Sequence, residues 1–455
     1  MGNIRTLVSA AVALALSAGS ALAAVSPQEA ARLQSTLTPL GAEKAGNAAG
    51  SIPAWTGGIT QAPAGFKPGQ HPIDPYAADK PLFTITRANL EQYKANLTPG
   101  QLAMFNNYPD TFQIPVYPTR RSGSAPQWVY DNTLKNATTA KLAENGNGFV
   151  DAFGGIPFPI PQSGVEAVWN HIARYRGTFI VRRSAEAAVQ RNGDYSPVVT
   201  QQEALFKYYQ PGGNFEGLGN RMFYFLAFTK SPARLAGSAA LVHETLDQVK
   251  EPRQAWAYNA GQRRVRRAPS LAYDTPIASS DGLRTADDTD MYNGAPDRYD
   301  WKLLGKKEVY IPYNNFRLAS AEVKYKDLLT PNHLNPQYTR YELHRVWVVE
   351  GTLKPGARHI YSKRVLFLDE DSWGAAEVDQ YDGRGELWRV SMAYLRSYYE
   401  LPTTWTSIDV FHDLQARRYV AMNLDNEEPA SIDFTQALPD GEYFSPSALR
   451  RRGTR

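Results

Sequence analysis

Guanidinium groups on alternate residues of a strand can clamp a carboxylate or a phosphate. Arg263-Arg264-Val265-Arg266-Arg267 has that spacing: Arg264 and Arg266 share one face, while Arg263, Val265 and Arg267 share the other. The same run also reads as a sheet edge whose charges prevent edge-to-edge association, and that reading is preferred. Arg450 to Arg452 reads as a solvated tail. Other chemistry fails on spacing. His243-Glu244 begins a zinc-protease pair, but Asp247 stands where the second histidine belongs. Asp369-Glu370-Asp371 with Gly374 imitates a calcium loop, yet Trp373 takes a ligand position and Gln380 replaces the bidentate acid, so a surface turn is expected. The chain has no nucleophile elbow and no phosphate loop. His71, His171, His243, His333, His344, His359 and His412 lack ligand spacing and read as hydrogen-bonded structural residues. Two acids distant in sequence could meet to hydrolyse a glycoside, but 45 acids give no basis for choosing them. No cysteine is present, which removes disulfides, thiolate metal sites, iron–sulfur clusters and cysteine nucleophiles. No catalytic residue, metal or cofactor is expected.

The elements that would position these groups fall into two parts. From Gly41 to Pro81 glycine and proline are too frequent for a regular element, but Trp55, Phe66 and Tyr76 are spaced among them, as in an ordered arm packed on a core. Thr86 is placed to cap a helix through about Leu97, and Thr98-Pro99 to start another. Ser163 and Glu166 form a capping box before a helix running to about Arg174. Beyond about Gly177 the texture becomes antiparallel β, with strands at 221–229, 234–245, 254–258, 263–267, 308–313, 342–352, 360–368, 375–381 and 386–394, and a hairpin turn at Asp382-Gly383-Arg384-Gly385. No helix-length insertions separate consecutive strands, which argues against a parallel α/β sheet. The strand 221–229 is apolar on both sides, with Met222, Tyr224, Leu226 and Phe228 opposite Phe223, Phe225 and Ala227. Such a sheet must be sandwiched or curled around something.

The address is written in residues 1–23: Arg5, an apolar run from Leu7 to Leu16, and Ala21-Leu22-Ala23 match a cleaved secretory signal, shorter than a membrane span. The mature chain is expected to start near Ala24, in a bacterial periplasm. The expected organisation is a signal peptide over 1–23, arm and helices over 24–176, and a β domain over 177–455. A composition of 43% hydrophobic and 21% charged residues suits a folded protein, and 49 basic against 45 acidic side chains give no electrostatic case for a nucleic-acid partner. The 31 prolines and the scarcity of clean ten-residue alternation argue against an outer-membrane barrel.

Several runs carry a family resemblance. They are Leu37-Thr38-Pro39-Leu40-Gly41-Ala42-Glu43-Lys44-Ala45-Gly46, Ile52-Pro53-Ala54-Trp55-Thr56-Gly57-Gly58, and Gly155-Ile156-Pro157-Phe158-Pro159-Ile160-Pro161 with Trp169-Asn170-His171. Later come Trp256 to Pro269, His359-Ile360-Tyr361-Ser362-Lys363-Arg364 and Tyr381 to Gly385. Together these resemble the proteobacterial family called domain of unknown function 1329, whose strand-rich part is similar to the periplasmic lipoprotein carriers. The resemblance implies an α+β, mainly antiparallel fold: a large curled sheet or incomplete β-barrel with helices as a lid over an apolar cavity, here with an extended N-terminal arm. It implies a non-catalytic carrier or chaperone for a lipid-like molecule, with an inner-membrane RND-type transporter and an outer-membrane protein as partners. The chain's size and its arm depart from the lipoprotein carriers and put lipoproteins in doubt as cargo. Pocket residues are expected among Met222, Tyr224, Leu226, Phe228, Trp256, Tyr258, Trp347, Phe367 and Trp388, with Arg264 and Arg266 at the rim; ordinary core packing is the competing expectation for each. The alternatives are an envelope enzyme acting on polysaccharide or lipid, and a structural adaptor of an envelope complex.

Overall fold

Runs rich in valine, isoleucine, threonine and aromatics settle into strands because branched and flat side chains pack well on a pleated surface. The computed structural model describes residues 24–268 and 271–453, so the expected signal segment lies outside the described residues. The strands are β1 (Phe83–Ile85), β2 (Ile114–Val116), β3 (Lys141–Leu142), β4 (Phe149–Val150), β5 (Phe179–Val189), β6 (Val198–Phe206), β7 (Arg221–Ser231), β8 (Ala239–Thr245), β9 (Gln254–Asn259), β10 (Arg264–Arg267), β11 (Tyr299–Pro312), β12 (Tyr341–Leu353), β13 (Lys363–Asp369), β14 (Ala375–Tyr381), β15 (Leu387–Tyr398), β16 (Thr403–Asp413) and β17 (Arg418–Leu424). All but the small β3–β4 hairpin join one sheet of 15 strands.

From β11 the antiparallel order runs β12, β13, β14, β15, β16, β17, β5, β6, β7, β8, β9, β10, and the β1–β2 pair attaches to the start of β12 through one parallel bridge, Val116 to Tyr341. The end strands β11 and β10 do not pair with each other, so the curled sheet stays open. β11 and β12 register from Tyr299↔Leu353 to Pro312↔Tyr341 with a shift at Leu303/Gly305; Gly305, at φ +98°, supplies the left-handed backbone that such a bulge needs.

The helices are α1 (Pro27–Ala30), which packs on α3 (Gln127–Thr139), together with α2 (Pro99–Asn107), α4 (Gly164–Ala173), α5 (Tyr325–Leu328) and α6 (Pro446–Gly453). In α2 the Thr98 hydroxyl accepts from Gln101 N–H and Gln101 reaches back to Thr98, with Pro99 in the first turn. Ser163 caps α4 as expected, and Arg174 follows its last residue. α4 lies on β11 and β12, burying Val168, Trp169 and Ile172 in the largest core cluster; α2 lies on β14 and β15, placing Met104 and Phe105 in a second cluster.

The expected helix from Thr86 to Leu97 is instead two tight turns, 90–92 and 94–96. The Asn89 side chain accepts from Thr86 N–H at 2.7 Å and donates to the Thr84 carbonyl at 3.0 Å, an alternative to helical bonding. The strand expected to start at 234 starts at Ala239, because 234–238 form a turn. Strands β5, β6, β16 and β17 and helix α3 carried no expectation. The arm is ordered by specific contacts: Trp55 Nε1 donates to the Gly123 carbonyl at 2.8 Å, and Phe66 packs edge-on to Tyr399 at 5.0 Å.

Candidate functional site

On the flank made by β6 to β10, alternation brings Leu205, Leu226, Phe228, Leu241 and Tyr258 onto one face, with Tyr224, Trp256 and Val265 half-buried around them. Rings dominate. Tyr224 and Trp256 each pack on the His243 ring, at 4.6 and 4.7 Å. What closes this face is the end of the chain. Ser445 caps α6, with Pro446 at its first position, and the preceding Tyr443 and Phe444 pack against the sheet. Phe444 stacks on Tyr224 at 5.6 Å, and both Tyr443 and Phe444 meet Phe179 edge-on. Leu449 is fully buried. His243 Nε2 bonds the Phe444 carbonyl at 2.7 Å; burial holds this imidazole below its ordinary value, so the neutral ring is the donor. Buried Glu203 accepts from the Tyr443 hydroxyl at 2.8 Å and pairs with Arg452 at 2.6 Å, and the Arg452 guanidinium rides over Phe228 at 4.7 Å and Tyr443 at 4.3 Å. The Arg450 to Arg452 run is therefore not a solvated tail: Arg452 anchors the roof.

Five of the expected pocket residues, Tyr224, Leu226, Phe228, Trp256 and Tyr258, thus come together. Met222, beside the register shift at Arg221/Phe223, belongs to the cluster under α4, as do Trp347 and Phe367. Trp388 stands apart, half-buried, donating to Asp413 at 3.0 Å under the Arg389 guanidinium. Val265 packs on the aromatic cluster, so alternation turns exposed Arg264 and Arg266 to the other face of the edge strand. Cavities of about 930, 530 and 180 Å³ lie among the described residues, and none of these is lined by any of the candidates. The sequence reading missed Tyr443, Phe444, Leu449 and Arg452. Their signal was the aromatic pair ahead of Ser445-Pro446, a cap followed by a helix-starting proline.

The other flank is held by buried charge. Asp369-Glu370-Asp371, expected as a surface turn, is buried because Arg121 grips Asp371 with two bonds of 3.0 and 2.7 Å, while Glu370 takes Arg345 at 2.8 Å and Lys306 at 2.8 Å. His344, Asp369 and Asp371 approach closely enough to share a cation. Each is already engaged: Ser372 and Tyr313 donate to Asp369, Arg121 to Asp371, and Glu342 lies 3.0 Å from His344. Burial would lower His344, but Glu342 and Asp369 outweigh it and raise its pKa; burial and Asp371 raise Asp369 to about 6. Arg364, from the family-like run at 359–364, is wholly buried against Asp287 at 2.8 Å and faces the Tyr292, Tyr299 and Tyr361 rings at 5.1, 5.5 and 4.9 Å. Neutral His171 donates from Nε2 to the Asp290 carbonyl at 2.9 Å and accepts at Nδ1 from Ala375 N–H at 3.1 Å, and burial pushes its pKa down to about 3. These residues fasten loops to the sheet.

Two buried acids converge with no ion pair to lysine or arginine among the described residues, although the charge of Lys363 acts on one of them. Glu377 and Asp379 project from β14 beneath the start of α2, where the Thr98 hydroxyl and Gln101 Nε2 donate to Glu377 and Gly100 N–H donates to Asp379 at 3.0 Å. Burial and the neighbouring Asp379 hold Glu377 well above its ordinary value; burial raises Asp379 to about 7. Both carboxyls are sealed from solvent, so a substrate cannot reach them.

The architecture is a wide, open antiparallel sheet with the segment 443–452 laid over one aromatic face. The chain belongs to the family described as protein of unknown function DUF1329, whose model matches residues 84–450. It is 53% identical over 444 residues to Uncharacterized protein PA3922 of Pseudomonas aeruginosa, spanning 98% of this chain and 97% of that one. Among solved structures it is similar to a domain named for outer membrane lipoprotein sorting from Vibrio parahaemolyticus (TM-score 0.44, 16% identity, 63% of this chain and 98% of that one). It is also similar to a DUF1329 family protein from Desulfovibrio piger (0.42, 16%, 60% and 92%) and to the LolA superfamily protein NE2245 from Nitrosomonas europaea (0.37, 14%, 63% and 98%). No helix among the described residues is long and apolar enough to cross a membrane.

Proposed function

We propose that the protein is a periplasmic, non-catalytic carrier that holds a hydrophobic, lipid-like molecule against the aromatic face of β7 to β9, beneath the C-terminal segment. The observation that carries this reading is the roof itself: Tyr224, Leu226, Phe228, Trp256 and Tyr258 are covered by the last turns of the chain. Removing that segment leaves a contiguous aromatic surface for an acyl chain, each buried methylene of which contributes about 0.8 kcal/mol. The sequence-based candidates divide accordingly: those five form the site, while Met222, Trp347, Phe367 and Trp388 pack the body of the protein. Arg264 and Arg266 are exposed cations on the edge strand beside it and suit an anionic headgroup that reaches around that edge. A carrier hands its cargo on, so the transporter and outer-membrane partners implied by the family resemblance belong to the same reading.

Titration with a dansyl-labelled fatty acid tests it. Saturable binding with a blue-shifted emission is expected, abolished in Leu226→Asp and weakened in Tyr224→Ala, whose half-buried ring can be removed without opening the core. Undiminished binding in Tyr224→Ala and Leu226→Asp, with both variants folded, would refute the site.

A further inference from the structure

A cavity of about 930 Å³ lies between the arm at 72–81 and the segments 314–320 and 335–340, and shares no residue with the aromatic flank. Its size is that of a small-molecule site, but its chemistry is not that of a lipid pocket. Tyr76, Tyr117 and Tyr338 line it with half-buried rings. Their positions are fixed from below: the buried Arg340 guanidinium lies against Tyr76 at 5.3 Å and Tyr117 at 4.8 Å, and is itself held by Asp79 at 2.8 Å and Glu342 at 2.6 Å. Arg317 stacks on Tyr338 at 5.4 Å. Each of these half-buried rings lines the cleft and is braced by a guanidinium. Between them stand the exposed amides of Gln113 and Gln337. Charge is balanced, with Asp74, Asp79 and Glu322 on one side of the count and Lys80, Arg317 and Arg340 on the other.

We infer that this cleft is a second binding site, for a neutral oligosaccharide of a few sugar units. A sugar ring offers an apolar C–H face to an aromatic ring and a fringe of hydroxyls that both donate and accept. Tyrosine rings flanked by amides, carboxylates and guanidinium groups meet both demands at once. The balance of charge removes the attraction that an anionic ligand would need, and the bracing of the rings by Arg340 lowers the ordering cost of binding. The inference is independent of the carrier reading, since the two sites share no residue. It also accounts for the arm, because Tyr76 supplies one platform from a segment otherwise without regular structure.

The test is calorimetric titration of the intact chain with cellotetraose, maltotetraose and chitotetraose, with tetragalacturonate as the anionic comparison. At least one neutral tetrasaccharide should bind saturably, more tightly than tetragalacturonate. Tyr338→Ala and Gln113→Ala, both at exposed or half-exposed positions, should each weaken binding by about tenfold, as expected for losing one well-made contact. Glu91→Ala, at an exposed position that lines neither site, should leave it unchanged. Absence of binding by all three neutral sugars, a preference for tetragalacturonate, or affinity unaltered in both cleft variants would overturn the inference.

Discussion

The two flanks of the sheet solve the same burial problem in opposite ways. Across β12 to β16 both faces are sealed, and ion pairs reach between distant parts of the chain, such as Arg121 with Asp371 and Arg364 with Asp287. Across β6 to β10 the seal is a short terminal segment resting on rings, fastened by Arg452 to Glu203 and by the Phe444 carbonyl to His243. Removing one partner of a fully buried ion pair leaves an uncompensated charge, whereas lifting a terminal segment exposes rings to water and frees a chain end to move. On the carrier reading proposed above, the first flank stays closed and the second opens.

The largest expected effect is on the closed flank. Arg364→Ala leaves Asp287 buried without its guanidinium and should cost about 3–5 kcal/mol in urea unfolding at neutral pH. On the opening flank Phe444→Ala should cost less than about 3 kcal/mol, the lower bound for a phenylalanine truncated in a closed core, and should tighten binding of the dansyl fatty acid. Equal losses from the two substitutions would erase the contrast.

A further effect sharpens it through pH. The folded-state pKa of Asp379 is raised from 3.8 to about 7, so the native state holds a proton that the unfolded chain releases. This stabilisation is full below the unfolded value and is lost as pH rises through about 7. Asp379→Asn should therefore flatten the decline in stability between pH 4 and 7, read as the urea midpoint at each pH, and leave fatty-acid binding on the other flank unaltered.

How much of this was legible in the sequence depends on how local the cause is. The strand at 375–381 was read with its observed bounds, since Gly374 and the Asp382-Gly383 turn mark its ends. Thr403–Asp413 escaped because Thr404, Thr406, Ser407, Asp409 and His412 look like a polar loop; they are buried, and Asp409 receives Asn423 Nδ2 at 3.0 Å from the neighbouring strand. Polarity hid a strand that its pairing with β15 and β17 buries. The Asp369-Glu370-Asp371 turn misled for the same reason, its partner Arg121 lying 250 residues from Asp371. In the candidate site, parity correctly grouped Tyr224, Leu226 and Phe228 on one face. It could not reveal that Met222 departs from them at a register shift, nor that the occupant of the face would be the chain's own end.

Hydrogen–deuterium exchange of Tyr443 to Arg452 and of β7 to β9, with and without saturating dansyl fatty acid, tests the central claim most directly. Exchange should rise in the terminal segment and fall in the strands as the ligand takes the place of Phe444 and Leu449. Bound ligand with unchanged exchange in both regions would contradict it.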